Sequence, residues 1–196
     1  KKPGPATSVV ETKAVPEVAA ELMRFGNNVR LNFISTKNEP GLVRALVRVG
    51  GGLLTMPGNQ PALKEFGLNT FMGSGTIYYT TDQIAQIIDR RFLEFGFDVA
   101  DHDAFAFRGL MGADNLETFL GLATEFLRNP KFNPYAHRDE RMRAAMSRSA
   151  GANGFQEGMR ELMDHLFRGD ARFMSGTPLD YLSLGVANVR QWMEAP

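Results

Sequence analysis

The chain has 196 residues, of which 43% are hydrophobic and 22% charged, so it can bury the core of one domain or of two small ones. Basic and acidic residues are balanced at 22 each, which leaves no net field to attract nucleic acid or an anionic membrane. The absence of cysteine excludes disulfides and thiolate chemistry, and no apolar run approaches the ~18 residues of a membrane span.

The N-terminal region has the composition of a linker. Lys1–Pro16 carries three prolines among small, polar and β-branched residues, and it lacks the apolar core and cleavage signature of a secretion signal. We therefore predict an N-terminal extension over residues 1–25 and a single αβ unit over residues 26–196, truncated at its C-terminal end. If the protein is exported, we expect its signal upstream of this chain.

Two strands are predicted after the extension. Apolar and polar residues alternate in Asn28–Ile34 and again in Leu42–Val49, the period of half-buried strands. The turn residues Lys37–Gly41 separate them. This arrangement predicts that the two strands form an antiparallel pair.

Two helices and a hairpin follow in the prediction. Pro61–Phe71 indicates a short helix, and Thr81–Phe95 indicates a clearer one with Thr81 as its N-cap. Phe97–Met111 returns to strand alternation around the polar tip Asp101–Asp103, which indicates a hairpin.

The remaining chain is predicted to be helical. Four segments are indicated, beginning at Asp114, Pro134, Phe155 and Ser183, with a break at residues 151–154. Glu117 follows Asp114 by three residues, an aspartate variant of the capping box. Strands followed by helices predict an α+β fold, a two-layer sandwich in which an antiparallel sheet of about four or more strands is covered on one face by several helices.

Three histidines are the only imidazole candidates for chemistry. His102, His137 and His165 each lack a second ligand at the three- or four-residue spacing that places two ligands on one helix face. His102 lies between Asp101 and Asp103, which could form a metal or acid/base cluster, but an exposed hairpin tip is favoured because adjacent strand residues point to opposite faces. The polar faces of surface helices account for the other two.

Nucleic-acid binding has one candidate segment. Arg138–Arg148 is rich in arginine, but its interspersed acids and helical spacing favour a solvated helix face. We therefore expect no nucleic-acid partner.

Several sequence segments along the chain resemble those of a known family. They are NNVRLNF, EPGLVRALVRVGGG followed by LTMPGNQPAL, FMGSGTIYYTTDQI, and GLMGADNLETFLGLATEFLRNPKFNP. In order and spacing, from Gly26 to Trp192, they resemble one αβ unit of the pitrilysin/insulinase-type zinc peptidases.

The resemblance implies that the metal site of the family is missing here. Catalytic members carry HxxEH on the helix after the second strand, with a further glutamate ligand roughly seventy residues downstream. The three HxxEH positions correspond to Phe66, Asn69 and Thr70, and the downstream ligand falls near Met146 or Ser147. None of these side chains supplies an imidazole or a carboxylate, so the resemblance implies neither catalytic nor metal-binding residues in this chain. Phe66 lies on one side of the predicted helix with Leu63 and Thr70, and we expect it to help pack the helix onto the sheet in place of a ligand.

The resemblance also implies partners. Members of the family close two halves over a peptide, and only one half holds zinc, so the chain is expected to be the first unit of the noncatalytic half of a zinc metalloendopeptidase. Zinc is expected in the catalytic half, and peptide in the chamber between the halves. Outward-facing strand positions such as Arg44 and Arg48 are candidates for the chamber wall. Exported relatives suggest the periplasm, with the cytoplasm as the alternative.

Two other functions stay open at this point. The parent protein could be a structural or assembly subunit that has lost proteolysis. The sequence upstream would decide between this subunit and the zinc peptidase. A metal-free enzyme using His102 and its flanking aspartates is the third hypothesis. This third hypothesis predicts that replacing His102 abolishes an activity. The peptidase-domain and structural-subunit hypotheses predict that the replacement changes surface charge alone.

Overall fold

The computed structural model describes residues 7–149, 154–174 and 176–194. Contacts divide the chain into two units, Lys1–Gly41 and Leu42–Pro196. Within the described residues the protein has two antiparallel three-stranded sheets, one in each unit, and seven α-helices in the second. The α+β prediction is confirmed, but the strands form two sheets of three and not one sheet of four or more.

The first unit is a meander of three strands. Strand β1 is Val9–Val15, β2 is Ala20–Phe25 and β3 is Arg30–Ile34, in the order β1-β2-β3. The prediction of a linker is therefore wrong for residues 9–25. Pro16 contributed to the wrong prediction because proline is typical of linkers. In the structure it opens a 3-10 turn between β1 and β2, where no backbone N–H is needed, and Ala19 ends the turn with a φ of 50°.

The predicted pairing of the first two strands is also wrong. β3 pairs with β2, while Leu42–Val49 forms β4 and pairs with β6, Ala104–Gly112. A tight turn explains the choice for β3, because Asn28 has a φ of 64° and the Phe25 N–H donates to the carbonyl of Val29 at 2.9 Å. Alternation identifies a strand, but the turn chemistry decides its partner.

The second sheet has the order β4-β6-β5, with β5 at Glu94–Ala100. The hairpin of β5 and β6 is confirmed. Side chains alternate between a core face, with buried Phe105 and Phe107, and an open face, with exposed Arg44 and Arg48. The helices cover the core face, as the sandwich prediction requires.

Seven helices complete the second unit. They are α1 (Leu63–Gly73), α2 (Thr81–Arg91), α3 (Leu116–Arg128), α4 (Pro134–Ser149), α5 (Gly154–Leu166), α6 (Pro178–Ser183) and α7 (Val186–Met193). None of the helices in the described ranges is long and apolar enough to cross a membrane.

Several helix ends differ from the predictions. Thr80, not Thr81, caps α2, through a capping box in which Gln83 and Thr80 exchange hydrogen bonds. α2 ends at Arg91 because Phe92 takes a left-handed φ of 49° and Glu94 already begins β5. The predicted Asp114 cap is replaced by a 3-10 turn over Ala113–Asn115, and the short α6 was missed. The predicted break at 151–154 falls largely outside the described residues.

Helix α5 presents an apolar stripe to solvent. Phe155, Met159, Leu162 and Leu166 lie at helical spacing, and their exposed fractions are 76%, 43%, 48% and 62%. The segment beginning at Phe155 was predicted to be helical, and the structure confirms this. After the C-terminal end of α5, the ring of Phe167 stacks on that of Phe173, with centroids 4.3 Å apart.

Candidate functional site

Helix α1 carries the three positions at which the resemblance places HxxEH, so it is the candidate site. The turn that follows α1 is stabilised by its backbone geometry. Gly75 has a φ of +65°, and a Cβ there would lie 2.7 Å from the carbonyl oxygen of Tyr79. The Thr76 N–H donates to that same oxygen at 2.9 Å, and the Thr76 hydroxyl accepts the Tyr79 N–H at 3.0 Å. The glycine is therefore required for the turn that returns the chain to α2.

Phe66 and Thr70 lie on the buried face of α1. Phe66 has an exposed fraction of 0% and Thr70 of 1%. The Thr70 hydroxyl donates to the carbonyl oxygen of Phe66 at 2.7 Å, so its hydrogen goes to its own helix. The prediction that Phe66 is a buried packing residue is confirmed, and Thr70 shares its face.

Asn69 points instead towards helix α4. Its amide nitrogen donates to Oε1 of Glu140 at 2.9 Å, and Glu140 also accepts from Nε of Arg143 at 2.9 Å. The Glu140 side chain is 10% exposed, and it lies 71 residues after Asn69. The carboxylate of Glu140 thus lies beside α1. The resemblance placed the downstream ligand near Met146 or Ser147, so the sequence analysis did not identify Glu140. Met146 is 64% exposed, and the side chain of Ser147 is outside the described residues.

His137 was assigned to a polar surface face, and that prediction is wrong. The residue is 3% exposed, and its ring packs edge-on against Phe66 with centroids 5.8 Å apart. Nδ1 lies 2.7 Å from the carbonyl oxygen of Asn133, so this nitrogen carries the hydrogen, and Nε2 has no hydrogen-bond partner among the described residues. Burial lowers the pKa of His137, which is therefore neutral near pH 7.

The other sides of α1 meet α6, α7 and the sheet. The buried hydroxyl of Tyr181 donates to the carboxylate of Glu65. Gly67 lies directly under Trp192, since a Cβ on it would come within 2.8 Å of the indole ring. Phe71 packs on Phe97 of β5, with ring centroids 4.6 Å apart. The buried residues of α1 are thus engaged in packing, and the exposed Glu65 and Asn69 form hydrogen bonds with α6 and α4.

These side chains do not fit a zinc ion. A phenyl ring cannot ligate, the hydroxyl at position 70 is committed to a backbone carbonyl, and the amide at position 69 is bound to Glu140. Within the described part of the chain, no three histidine, aspartate or glutamate side chains are grouped so that they could hold a metal.

The alternative site at the hairpin tip is a clamp between strands. Arg48 of β4 donates to Asp101 at 2.5 Å and to Asp103 at 2.6 Å, and the hydrogen bond with Asp101 is the main cause of the raised pKa of Arg48. His102 lies between the two acids with a φ of 68°, and its ring packs edge-on against Phe173 at 5.2 Å. The aspartates therefore face an arginine and not the imidazole. The third histidine, His165, is exposed.

Three solved structures have the same fold as this chain. The periplasmic protease PqqL from Escherichia coli matches 96% of the chain with 12% identity and a TM-score of 0.76 over 21% of its own length. Pitrilysin matches 93% with 17% identity and a TM-score of 0.65, over 21% of its length. A peptidase M16 inactive domain from Pseudomonas fluorescens matches 94% with 18% identity and a TM-score of 0.67, over 42% of its length.

These likenesses define the fold, and the identities are too low to carry an activity. The chain has the pitrilysin-type peptidase fold, which confirms the resemblance seen in the sequence. It spans about a fifth of the length of PqqL and of pitrilysin. No model of a protein family matches the sequence, and no curated protein is significantly similar to it.

Proposed function

We propose that this chain is a noncatalytic domain of a zinc metallopeptidase, which helps to form the peptide chamber and to hold the catalytic half. The observation that supports the proposal is that the side chains at the three positions matched to HxxEH are engaged in packing and hydrogen bonding. Phe66 and Thr70 are buried in packing, and Asn69 joins α1 to Glu140 of α4. In a pitrilysin-type fold, a helix used in this way is architectural, and the zinc chemistry belongs to another domain of the longer protein.

The open face of the second sheet is the surface that we assign to the chamber. The helices cover its opposite face, so this is the side of the sheet that a peptide can reach. The candidates Arg44 and Arg48 both lie on it and are exposed. Arg48 is held by Asp101 and Asp103, and it contributes to the wall as part of that clamp.

The compartment that we propose is the periplasm. One neighbour in fold, PqqL, is described as a periplasmic protease. The cytoplasm is the alternative.

A cleavage assay on the purified chain tests the proposal. The chain is incubated with unstructured peptides and with added zinc, beside a pitrilysin-type enzyme as the positive control, and products are followed by mass spectrometry. We expect no cleavage above the chelator-treated blank. Cleavage that needs zinc and is lost in the Asn69→Ala or Glu140→Gln variant would place a catalytic site on α1 and overturn the proposal.

A structural or assembly subunit without proteolytic function is the second candidate. The packing of α1 supports this reading equally, because it concerns only what α1 does within its own unit. The coding sequence upstream separates the two candidates. An HxxEH motif in a preceding unit of the same protein supports the peptidase, and a preceding unit that lacks the motif supports the scaffold.

A further inference from the structure

The open face of the second sheet contains a shallow cavity of about 600 Å³. Its lining includes Leu46 of β4, Gly96 of β5, and Arg108 and Leu110 of β6. Leu46 is 52% exposed, although it lies within a strand. Arg44 of β4 and Glu94 of β5 also line the cavity, on either side of Leu110. The part of the cavity around Arg108 is therefore apolar and accessible, with a single guanidinium on the central strand.

Arg108 is surrounded by small or apolar neighbours. The strand register places Leu46 directly opposite it on β4 and Gly96 directly opposite it on β5. Ala106 and Leu110 precede and follow it on the same face of β6, because side chains of a strand alternate between faces. None of these four positions carries a charge, so no residue directly opposite Arg108 can pair with it.

Gly96 leaves the space beside Arg108 empty. A Cβ built on this glycine would have nothing within 4 Å. A side chain with an apolar stem can therefore lie over Gly96 on the open face, with its end group against the guanidinium.

Within the described residues, Arg108 makes no hydrogen bond or ion pair. The contrast with Arg48 on the same face is direct, since Arg48 binds two aspartates. Glu94 and Asp98 of β5 lie diagonally from Arg108, where Cβ atoms are about 7–8 Å apart, and one Asp98 oxygen already accepts the Val99 N–H at 2.7 Å. Arg108 thus keeps the donors that bind a carboxylate in a bidentate manner.

We infer that Arg108 binds the carboxylate of an acidic side chain in an extended peptide that lies across the open face, with Leu46 and Leu110 contacting the apolar residues beside it. This inference rests on the proposed function and names the class of peptide that the chamber wall selects. The two leucines favour a peptide over a free anion, because a small anion would leave them exposed to water.

A titration followed by NMR tests the inference. The ¹⁵N-labelled chain is titrated with a blocked pentapeptide that has a central glutamate between two leucines, and with the same peptide carrying glutamine. We expect shifts of the amides of Leu46, Gly96 and Arg108, and an affinity for the acidic peptide roughly two- to fivefold higher than for its amide counterpart. Phosphate and acetate are the small-anion controls.

Three variants locate the effect. Arg108→Gln should remove the preference for the acidic peptide, whereas Arg90→Gln, at an exposed position of helix α2 away from the open face, should retain it. Gly96→Val fills the empty space while leaving Arg108 in place. Since a valine suits an exposed strand position, this variant should fold at least as stably as the wild type and bind the acidic peptide more weakly.

The outcomes separate this inference from the proposed function. Equal binding of both peptides on the open face would overturn the role of Arg108 and leave the chamber wall in place. Phosphate or acetate that binds Arg108 as tightly as the peptide would overturn the choice of a peptide. No binding of either peptide, or binding away from this face, would overturn the chamber wall and the inference together.

Discussion

Phe66 lies at one of the positions where the resemblance places a metal ligand. Its ring is fully buried and lies against His137, so both residues contribute to the contact between α1 and α4. The sequence predicted the burial of Phe66 from its helical spacing. It could not predict His137, because a histidine in a charged segment suggests a surface, and only the tertiary packing of α4 places it inside.

Replacing Phe66 with alanine should destabilise the chain strongly. The loss of a fully buried aromatic side chain costs about 3–5 kcal/mol of unfolding free energy. The matched control is Phe155→Ala, since Phe155 is 76% exposed and its replacement should change stability by no more than about 0.5 kcal/mol. Urea denaturation measures both, and equal losses would contradict the burial of Phe66.

His137 should make stability fall with acid. Its pKa is lowered by burial, so between the unfolded value of about 6.5 and the lower folded value the unfolded chain binds the additional proton. The unfolding free energy should therefore decrease as pH falls below about 6.5. Urea midpoints at several pH values from 7.5 to 5 measure this slope.

The control for the acid effect is His137→Leu, which removes the titrating group from the same buried position. The slope below pH 6.5 should become shallower in this variant. An unchanged slope would show that His137 is not the group responsible.

His102 needs a different expectation from the one that the sequence suggested. Its alanine variant was expected to change surface charge alone, but His102 takes a φ of 68° and packs on Phe173. Alanine tolerates this φ poorly, so His102→Ala should cost about 1–2 kcal/mol. His102→Asn should cost less, because asparagine adopts the left-handed region more readily. Thermal or urea unfolding of the two variants makes the comparison, and equal losses would contradict a backbone cause.

At the scale of elements, helix α1 is positioned by close contacts at two glycines. Gly75 forms its exit, and Gly67 allows Trp192 of α7 to approach the helix backbone. The indole Nε1 then donates to the carbonyl of Gly52 at 2.8 Å, which connects α7 to the turn after β4. Helical spacing predicted α1 and the last helix, which carries Trp192, but a glycine inside a helix does not reveal which partner lies against it.

Gly67→Ala should therefore destabilise the protein, against the usual preference of helices for alanine. The new Cβ would lie 2.8 Å and 3.1 Å from two carbons of the Trp192 ring, and overpacking of this kind costs about 1–3 kcal/mol. Gly121→Ala in α3 is the control, because a Cβ there has nothing within 4 Å and should stabilise by up to about 1 kcal/mol. Opposite signs in a urea titration are expected, and stabilisation by both would contradict the close contact.

The two errors in strand prediction concern β1, which was missed, and β3, whose partner was wrong. The sequence of β1, VVETKAV, does not alternate apolar and polar residues, so periodicity does not mark it as a strand. β3 was recognised, but its partner is the strand immediately before it. Pairing depends on turn geometry at residues such as Asn28, and hydrophobic periodicity carries no information about it.

At the scale of the whole molecule, the core belongs to the second unit. Its cluster of buried side chains runs from Leu53 to Trp192, and the hydrophobic residues packed against it begin at Val43. The resemblance predicted the type of fold correctly. The division of the chain between Gly41 and Leu42 was not visible, because the turn before β4 reads like an ordinary hairpin turn.

Removal of residues 1–41 should leave the second unit folded. The truncated chain should retain its helical circular dichroism and a cooperative unfolding transition, because none of the described residues before Leu53 belongs to the buried core cluster. The full chain measured under the same conditions is the control. A truncated chain that lacks cooperative unfolding would contradict the division at Gly41.

The zinc content of the purified chain tests the central claim most directly. After treatment with a chelator and equilibrium dialysis against zinc, bound metal is measured by mass spectrometry for the wild type and for the His137→Leu and Glu140→Gln variants. The account predicts no stoichiometric zinc in any of them, because Phe66, Asn69 and Thr70 are committed to packing and hydrogen bonding. One tightly bound zinc per wild-type chain, lost in either variant, would contradict it.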